Sequence, residues 1–390
     1  MKNVTFVTDL KARASWGVTG NNRIPNDSQF SLLGISNYSL NNASITGYAP
    51  VGFQNRDLGW EQTGSFNYGL DFSVLNNRLQ VSADYYTKQT KDLLYQVPLS
   101  SLTGYTRTYI NIGEVFNRGV ELSLNSRNLV GAFEWTTSFN ASYNMNRVEK
   151  LDYENTPVPT GNSPGGYVSL LQVGLPISSY YLYDAIGVYQ TQAEVDSEPK
   201  LSNTRVGDIK YRDVNGDGKI TDADRTIMGN PSPKYIFGIT NFFRYKSFDL
   251  NVLINAQQGG MLYSLIGRSI DRPGMGYLYN HAANWTNRWK SEAEPGDGKT
   301  PSITAQNSSL LDSRWLYSSD YLRIKNITLG YNLPRSRFYS NARFYVVLEN
   351  PYIWHSYTGG FSPEALQSGG FDNGSYPQAR TYALGFNLSL

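Results

Sequence analysis

The stretch FEWTTSFNASYN, residues 133–144, decides the fold, because apolar and polar side chains alternate along it with a period of two. Phe133, Trp135 and Phe139 are among the residues at alternate positions, whereas the intervening positions carry Glu, Thr, Ser or Asn. Successive side chains of a β-strand point to opposite faces, so this alternation predicts a strand with one apolar face and one polar face.

The same alternation recurs along the chain. Apolar residues fill most alternate positions in the stretches 78–89, 119–125, 248–256 and 381–390, the last of them with Tyr382, Leu384, Phe386, Leu388 and Leu390. Strands of about 9 to 12 residues with two such faces suit two architectures. A soluble sandwich turns its apolar faces inward, whereas a transmembrane barrel turns them towards lipid and lines a wet interior with the polar ones.

The lengths of the predicted connections distinguish these architectures. Short turns at 74–77, 126–131, 245–247 and 334–341 alternate with long connections at roughly 20–60, 95–108, 149–232, 261–320 and 355–380. Transmembrane barrels have short turns on one side of the membrane and long extracellular loops on the other. We therefore predict an all-β fold, a transmembrane antiparallel β-barrel to which this chain contributes about ten strands.

Composition narrows the class of protein further. The 390 residues carry a net charge of +2, which offers no electrostatic footprint for nucleic acid, and aromatic residues make up 14% of the chain, which suits a water–lipid boundary. No apolar run has the length of a transmembrane helix, and the start of the chain lacks a signal-peptide core. Because an unpaired strand edge is not tolerated in hydrocarbon, we expect the chain to be the C-terminal part of a larger barrel.

The stretch DVNGDGKITDAD, residues 213–224, has the spacing of a calcium-binding loop. Such a loop needs oxygen ligands at set positions and a glycine at its sixth position, where the backbone turns sharply. The matching residues here are Asp213, Asn215, Asp217, Thr221 and Asp224, with Gly218 at the turn and the carbonyl of Lys219 between them. We predict a structural Ca²⁺ held by Asp213, Asn215, Asp217, Lys219 and Asp224, which fastens the connection 149–232; the alternative is a solvated turn without an ion.

Catalysis is not expected from this sequence. His281 and His355 lie in aromatic-rich predicted loops, with no matched nucleophile or second metal ligand nearby. The stretch PGDGKT at 295–300 resembles the end of a phosphate-binding loop, but it lacks that motif's first glycine and a preceding apolar strand, so we interpret it as a polar loop tip.

Aromatic side chains in the long connections are candidates for contact with a sugar or peptide. They are Tyr277, Tyr279, Trp285, Trp289, Trp315, Tyr317, Trp354 and Tyr357, beside the polar Asn284, Asn287 and Arg288. Rings can stack on such a ligand while amides and a guanidinium bind it by hydrogen bonds. Packing within the loops, contact with a partner protein and a place in an aromatic girdle are equal alternatives, so no single residue is assigned to ligand binding.

Several longer strings resemble one family. They are LKARASWGVTGN (10–21), NRLQVSADYYTKQTKDLL (77–94), NIGEVFNRGVELSLN (111–125), GNPSPKYIFGITNFFRYKSFDL (229–250) and YLRIKNITLGYNLP (321–334). In this order they are similar to the SusC/RagA family of TonB-linked outer-membrane transporters of Bacteroidetes. The resemblance implies a 22-stranded barrel with an N-terminal plug, a segment that contacts TonB, and a SusD-like surface lipoprotein as the partner in importing oligosaccharides or peptides.

Residues 1–390 are accordingly expected to form the C-terminal portion of such a barrel in the bacterial outer membrane, with 149–232 and 261–320 as extracellular loops. The plug and the remaining N-terminal strands would come from elsewhere in the same protein or from a separate chain. Two alternatives remain at this point. One is a soluble calcium-fastened all-β carbohydrate-binding or adhesin module, and the other is a self-closed ten-stranded barrel that acts as a passive porin.

Overall fold

The structure is a computed structural model, and it describes residues 6–22, 30–50, 52–53, 55–105, 107–151, 154–163, 165–272, 281–365 and 370–389. Three residues singled out from the sequence, Tyr277, Tyr279 and Leu390, lie outside this part of the chain.

The described elements are almost all strands. In chain order the strands are β1 (Val7–Asn21), β2 (Leu33–Leu40), β3 (Ala43–Pro50), β4 (Glu61–Val74), β5 (Leu79–Lys91), β6 (Leu94–Pro98), β7 (Arg107–Asn111), β8 (Glu114–Leu129), β9 (Phe133–Lys150), β10 (Val158–Ser163), β11 (Gly166–Leu171), β12 (Ser179–Tyr183), β13 (Ala185–Val188), β14 (Ile209–Tyr211), β15 (Arg225–Ile227), β16 (Tyr235–Tyr245), β17 (Phe248–Gln258), β18 (Met261–Ser264), β19 (Leu316–Ser318), β20 (Tyr321–Asn332), β21 (Asn341–His355), β22 (Phe371–Asp372) and β23 (Thr381–Ser389). The α-helices are α1 (Gln192–Ser197) and α2 (Leu265–Asp271), and the 3₁₀ turns are Ser101–Thr103, Asp222–Asp224, Ala283–Asn287 and Ser313–Trp315. None of the helices placed in this part of the chain has the length and apolar character needed to cross a membrane.

Ten long strands form one antiparallel sheet in the order β1-β4-β5-β8-β9-β16-β17-β20-β21-β23. Each strand of this sheet pairs with the sheet strands before and after it in the chain, as in a meander. The outer strands β1 and β23 each have a single neighbour among the described residues, so the sheet is open and does not close on itself. The ten strands predicted from the alternation are confirmed, and this arrangement speaks against the self-closed porin.

The pairing register carries one apolar face across the whole sheet. Phe139 lies opposite Leu124 on one side and Ile239 on the other, and the row continues through Ile254 to Ile324. A slip of one residue at any of these pairs would turn a strand's apolar side chains to the polar face. The matching apolar positions of neighbouring strands therefore keep all ten strands in register.

Aromatic residues border this apolar face at both ends of the strands. Near the short turns, Phe248 packs against Tyr331 with ring centres 4.8 Å apart. Near the long connections, Tyr143 packs against Tyr235 at 5.1 Å. The 11 residues of β16 run from Tyr235 to Tyr245, a height of about 25 Å for a strand tilted by roughly 40°. Two aromatic rows at this separation match the girdles of a membrane barrel.

In the described part of the chain, much of the apolar face is exposed. Leu384 is 85% exposed and Tyr382 is 69% exposed, although both belong to a regular strand. The buried clusters lie almost entirely outside the sheet, in the long connections, and include Val168, Tyr180 and Tyr263. A water-soluble sandwich would bury the apolar sheet face instead, so this distribution speaks against the soluble module.

The connections between sheet strands are short at one end and long at the other. The short ones cover 75–78, 130–132, 246–247 and 333–340, and the long ones cover 22–60, 92–113, 151–234, 259–320 and 356–380. The predicted turn at 126–131 is wrong in its first part, because residues 126–129 continue β8. They stay paired with β9 across a bulge, where the ladder shifts between Arg127 and Leu129.

Candidate functional site

The polar face of the sheet is hydrogen-bonded between neighbouring strands. The Ser138 hydroxyl donates to the Asn125 amide oxygen over 2.7 Å, and the Tyr86 hydroxyl donates to the Asn144 amide oxygen. Small hydroxyl and amide side chains bind water and polar solutes and carry no charge themselves. This face is therefore suited to line a water-filled passage.

Ion pairs gather on the same face near the short turns. Arg13 donates to both oxygens of Asp71, over 2.7 and 2.9 Å, and also reaches Asp84. These residues come from three adjacent strands, which their pairing places side by side. The pairs are half exposed, so they contribute little stability by themselves and form a charged patch on the wall of the passage.

A second ion pair on this face is more buried. Arg343 on β21 reaches across β20 to Asp249 on β17, with 2.5 Å between the guanidinium and carboxylate atoms. Asn332 donates to the same carboxylate over 2.7 Å. Gly330 of β20 lies beneath this contact, and a side chain there would meet the Arg343 guanidinium. The missing side chain at Gly330 thus allows the pair to form.

Three long connections pack together, and we refer to residues 151–234, 259–320 and 356–380 as the loop layer. One buried cluster combines Tyr180 from the first connection, Tyr263 from the second and Phe371 from the third. Tyr263 also pairs in parallel with Phe371, which joins β18 to β22. The loop layer therefore has its own hydrophobic core above one end of the sheet.

Buried polar contacts hold the loop layer together. The Tyr357 hydroxyl donates to the Asp372 carboxylate over 2.6 Å, and the Ser264 hydroxyl donates to the Gly359 carbonyl over 2.5 Å. Arg323, almost fully buried at the end of β20, forms an ion pair with Glu364. This last contact ties the connection 356–380 to the sheet.

The calcium-like loop is folded around its own side chains. Asp213 accepts hydrogen bonds from the backbone N–H groups of Gly216 and Gly218, over 2.7 and 2.9 Å. Asp217 accepts one from the N–H of Lys219 over 2.9 Å, and Asn215 accepts one from the N–H of Asp217. Gly218 has φ +79°, the left-handed conformation that a side chain disfavours, in keeping with a sharp turn at the sixth position.

Asp224 differs from the other proposed ligands because it is fully buried. Its carboxylate accepts from the backbone N–H groups of Val214 and Thr221, over 2.9 and 2.7 Å, and so connects the two ends of the loop. Burial alone would raise the pKa of the Asp224 carboxyl, but the backbone donors outweigh it and hold that pKa below its usual value.

In their present positions, the side chains of the loop 213–224 do not form a complete cation site. Within the described ranges, no group of three or more His, Asp or Glu side chains is placed so as to hold a metal ion. Asn215 and Asp217 are exposed at the tip and Asp213 is half-buried, while Asp213 and Asp224 both accept from backbone donors. Calcium binding by Asp213, Asn215, Asp217, Lys219 and Asp224 therefore stays a prediction.

The described aromatic candidates divide between the loop layer and the sheet, where Trp354 lies. Trp285, Trp315 and Tyr357 are buried in the loop layer. The Trp289 indole donates to the Gln190 carbonyl over 3.3 Å and lies against Gly207.

The placement of Trp354 in a connection is wrong. It belongs to β21, which runs on to His355, and it lies on the apolar face opposite Leu322 and near Tyr352. Beyond a bulge, apolar residues continue at alternate positions of β21, at Tyr352 and Trp354. This alternation is the sequence signal that could have placed Trp354 in a strand.

The other candidates have local contacts. One ring nitrogen of His281 is 2.7 Å from the Ile270 carbonyl, and its ring packs on Trp285. In the stretch 295–300, the Asp297 carboxylate accepts from the N–H groups of Lys299 and Thr300. It therefore stabilises a turn within the loop.

The sequence reasoning missed the polar centre of the loop layer. Asp312 is fully buried and binds the Arg314 guanidinium over 2.8 Å, and the Tyr211 hydroxyl donates to the same carboxylate over 3.1 Å. Asp312 and Tyr211 are 101 positions apart in the chain, so no local pattern indicates their contact.

Comparison with known proteins identifies a family model and several relatives that match this chain. The family model described as TonB dependent receptor-like, beta-barrel matches residues 3–350. TonB-dependent receptor P3 of Formosa agariphila is 33% identical over 413 residues, with 100% of this chain and 40% of the relative covered. TonB-dependent receptor SusC of Bacteroides thetaiotaomicron is 30% identical over 412 residues, with 100% and 38% covered. The chain thus spans about two fifths of the length of these relatives.

A solved structure supports the same architecture. The RagAB peptide transporter matches 100% of this chain and 41% of the longer chain, with a TM-score of 0.81 and 24% sequence identity. At this identity the likeness speaks for the fold. The transmembrane β-barrel predicted from the alternating strands is confirmed.

Proposed function

Because the chain belongs to the TonB-dependent receptor β-barrel family, we propose that it forms the wall and substrate chamber of an importer of oligosaccharides or peptides. The predicted resemblance to SusC/RagA transporters is confirmed, and with it a place in the bacterial outer membrane. The passage of cargo, the energy coupling and the partner proteins belong to the proposal.

The observation that carries the proposal is the contrast between the two faces of one open sheet. Ten strands expose a continuous apolar face bordered by aromatic rows, while the opposite face carries hydroxyls, amides and ion pairs. In a bilayer the apolar face contacts acyl chains, and the polar face borders water. A polar cargo then moves along the polar face without leaving water.

The open edges of the sheet indicate what else the transporter needs. The outward-facing backbone groups of β1 and β23 have no strand partner in the described part of the chain. Each unsatisfied backbone group in hydrocarbon costs several kcal/mol. Further strands are therefore required on both sides, and a plug and TonB would supply the gate and its energy.

The loop layer is proposed to cover the substrate chamber and to meet a SusD-like lipoprotein. It has a buried core, so it presents a defined surface and not a set of independent loops. Buried aromatic rings beside polar groups, as at Trp285 and Trp315, are compatible with either a sugar or a peptide.

Growth experiments test the importer directly. The gene for the complete receptor is deleted in its host, and growth is compared on mixed oligosaccharides, on mixed peptides, and on free monosaccharides with amino acids. We expect growth on one of the two polymeric diets to fall and to return on complementation, while growth on the free nutrients stays unchanged. Unchanged growth on both polymeric diets would overturn the proposal.

We also propose a structural Ca²⁺ in the loop 213–224. The exposed side chains of Asn215 and Asp217, the neighbouring half-buried Asp213 and the left-handed turn at Gly218 support it. In the complete receptor, a chelator should increase proteolysis between residues 205 and 225, and added Ca²⁺ should reverse the increase. The Asp213→Asn/Asp217→Asn variant should be cleaved equally with and without chelator. Identical cleavage of the unaltered protein under both conditions would exclude the ion.

A further inference from the structure

The side chain of Arg323 lies on the polar face of the sheet, at the end of β20 that is next to the long connections. Arg323 is paired in register with Asn255 of β17, which is paired in turn with Gly238 of β16. The amide of Asn140 lies where a side chain at Gly238 would point, and Asn140 is opposite Ser123 on the polar face. Residues that lie opposite each other in a sheet share a face, so Arg323 belongs to the polar face as well.

Arg323 is covered on this face, whereas the opposite face beside it is open. Arg323 is 3% exposed, but its neighbour Leu322 is 44% exposed, and Trp354, which is opposite Leu322, is 49% exposed. Successive residues of a strand point to opposite faces. In the described part of the chain, the segment that buries Arg323 therefore lies over the polar face and not over the apolar one.

The connection 356–380 supplies this cover at two points. The Arg323 guanidinium forms an ion pair with Glu364, and it donates to the side-chain oxygen of Gln378. The described residues of this connection, which we call the strap, are 356–365 and 370–380. One arginine of the sheet thus holds both parts of the strap against the polar face.

We propose that the strap narrows the mouth of the passage, and that Arg323 is the residue that positions it there. A segment on the polar face takes up space that a polar cargo needs, so the anchored strap limits the size of the molecules that enter. Phe371 of the strap packs with Tyr180 and Tyr263 in the core of the loop layer. The strap is therefore tied to the loop layer through Phe371 and to the wall through Arg323. The passage and its cargo rest on the proposed function.

The anchor is held less tightly than its burial suggests. Arg323 Nε and the side-chain oxygen of Asn255 are both buried, and neither has a hydrogen-bond partner among the described residues. Unpaired buried polar groups raise the free energy of the anchored arrangement, and both charges of a buried ion pair have lost their contacts with water. Release of the strap returns these groups to water, which lowers the free-energy cost of opening the mouth.

The width of the mouth is measured by labelling one cysteine on the wall below the strap. Thr328 is suitable because it lies on the polar face opposite Asn251, further from the long connections than Arg323. The complete receptor, with Thr328→Cys and without other cysteines, is placed in lipid nanodiscs. It then reacts with a small maleimide or with maleimides that carry polyethylene glycol chains of increasing length. The readout is the ratio of the labelling rates of the large and the small reagents.

Variants of the anchor should change this ratio. Arg323→Gln leaves the Glu364 carboxylate without its partner, so the ratio should rise about tenfold. Arg323→Glu and Glu364→Arg should each raise it as well, and the two changes together should return it towards the value of the unaltered receptor. An unchanged ratio in Arg323→Gln, or no return in the double variant, would overturn the proposal.

A matched control separates positioning of the strap from a general loss of stability. Arg343→Gln breaks the ion pair with Asp249, which lies on the same face near the short turns. This variant should unfold at a lower temperature and keep the labelling ratio of the unaltered receptor. An equal rise of the ratio in Arg343→Gln and Arg323→Gln would overturn the role of Arg323 as a positioning residue.

The outcome is separable from that of the proposed function, because labelling does not require import. A receptor that restores growth, but whose labelling ratio does not respond to Arg323→Gln, would leave the importer intact and remove only the strap. A receptor whose ratio rises in Arg323→Gln without supporting growth would leave the strap intact and remove the importer.

Discussion

The Tyr180 hydroxyl donates a 2.5 Å hydrogen bond to the carbonyl of Gly370, 190 positions further along the chain. Tyr180 is fully buried, and burial raises the pKa of its hydroxyl well above the usual range, so the group stays a donor. Gly370 adopts φ +87°, and a side chain there would meet the Tyr180 hydroxyl. This contact joins the first and third connections of the loop layer.

Replacing Tyr180 with Phe should loosen the loop layer. The change removes this donor and leaves the Gly370 carbonyl with the N–H of Tyr263, so we expect a loss of about 0.5–1.5 kcal/mol. Hydrogen exchange should therefore become faster around residues 370–372 and 179–183, while the sheet strands keep their protection. The matched control is Tyr181→Phe, whose hydroxyl makes a long 3.5 Å contact at the surface. Equal exchange in both variants would contradict a role for the Tyr180 bond.

Acid should open the calcium-like loop by way of Asp224. Its folded pKa lies below the usual 3.8, so its contribution to stability is complete above the unfolded pKa and is lost as the pH falls through the folded value. Proteolysis at 213–224 by an acid-active protease should rise over this range below pH 3.8. Asp224→Asn should be cleaved faster than the unaltered protein already at neutral pH, measured there with a protease that is active at that pH. The exposed Asp217→Asn, tested in the presence of chelator, should not.

Arginine on the apolar face should destabilise the barrel, and the same residue on the polar face should not. Leu124 and Ser123 are neighbours on β8 with side chains on opposite faces. Leu124→Arg near the bilayer midplane should lower the free energy of unfolding by about 2–4 kcal/mol. Ser123→Arg should change it by less than about 1 kcal/mol. Urea unfolding of the complete receptor in lipid bilayers provides the measurement, and equal losses would argue against the assignment of faces.

The ion pair between Arg343 and Asp249 should matter more than exposed pairs on the same face. Arg343→Met leaves a largely buried carboxylate with Asn332 as its remaining side-chain donor, which should cost about 2–3 kcal/mol. Adding Asp249→Asn should recover part of that loss. Arg244→Met breaks the exposed pair with Glu134 and should cost at most about 1 kcal/mol. Heat-induced unfolding of the receptor in detergent compares the three variants, and similar midpoints for the two single variants would exclude the difference.

The sheet was predictable from sequence because its information is local. Alternation at 133–144 identifies the two faces, and the register then follows from matching apolar positions such as Phe139 and Ile239. The boundary at 126–131 was missed because a bulge shifts the ladder at Arg127, so the period of two breaks while pairing continues.

The loop layer was less predictable, since its contacts join residues far apart in the chain. Nothing near Tyr180 indicates Gly370, and nothing near Tyr211 indicates Asp312. The spacing at 213–224 identified a tight, oxygen-rich turn. It could not show that Asp224 is buried and shared among backbone donors, because that depends on how the loop closes.

The most direct test of the two-faced sheet measures whether each face contacts lipid or water in the membrane. The chain contains no cysteine. Once any cysteines elsewhere in the complete receptor are replaced, single cysteines at Phe139, Val252 and Leu388, and at their neighbours Ser138, Asn251 and Asn387, can carry a spin label in lipid vesicles. Collisions with oxygen, which concentrates in lipid, should dominate at the first three positions. Collisions with a water-soluble nickel complex should dominate at the other three. Oxygen access that is equal at both sets, or higher at the second, would contradict a sheet with one face in lipid and the other in water.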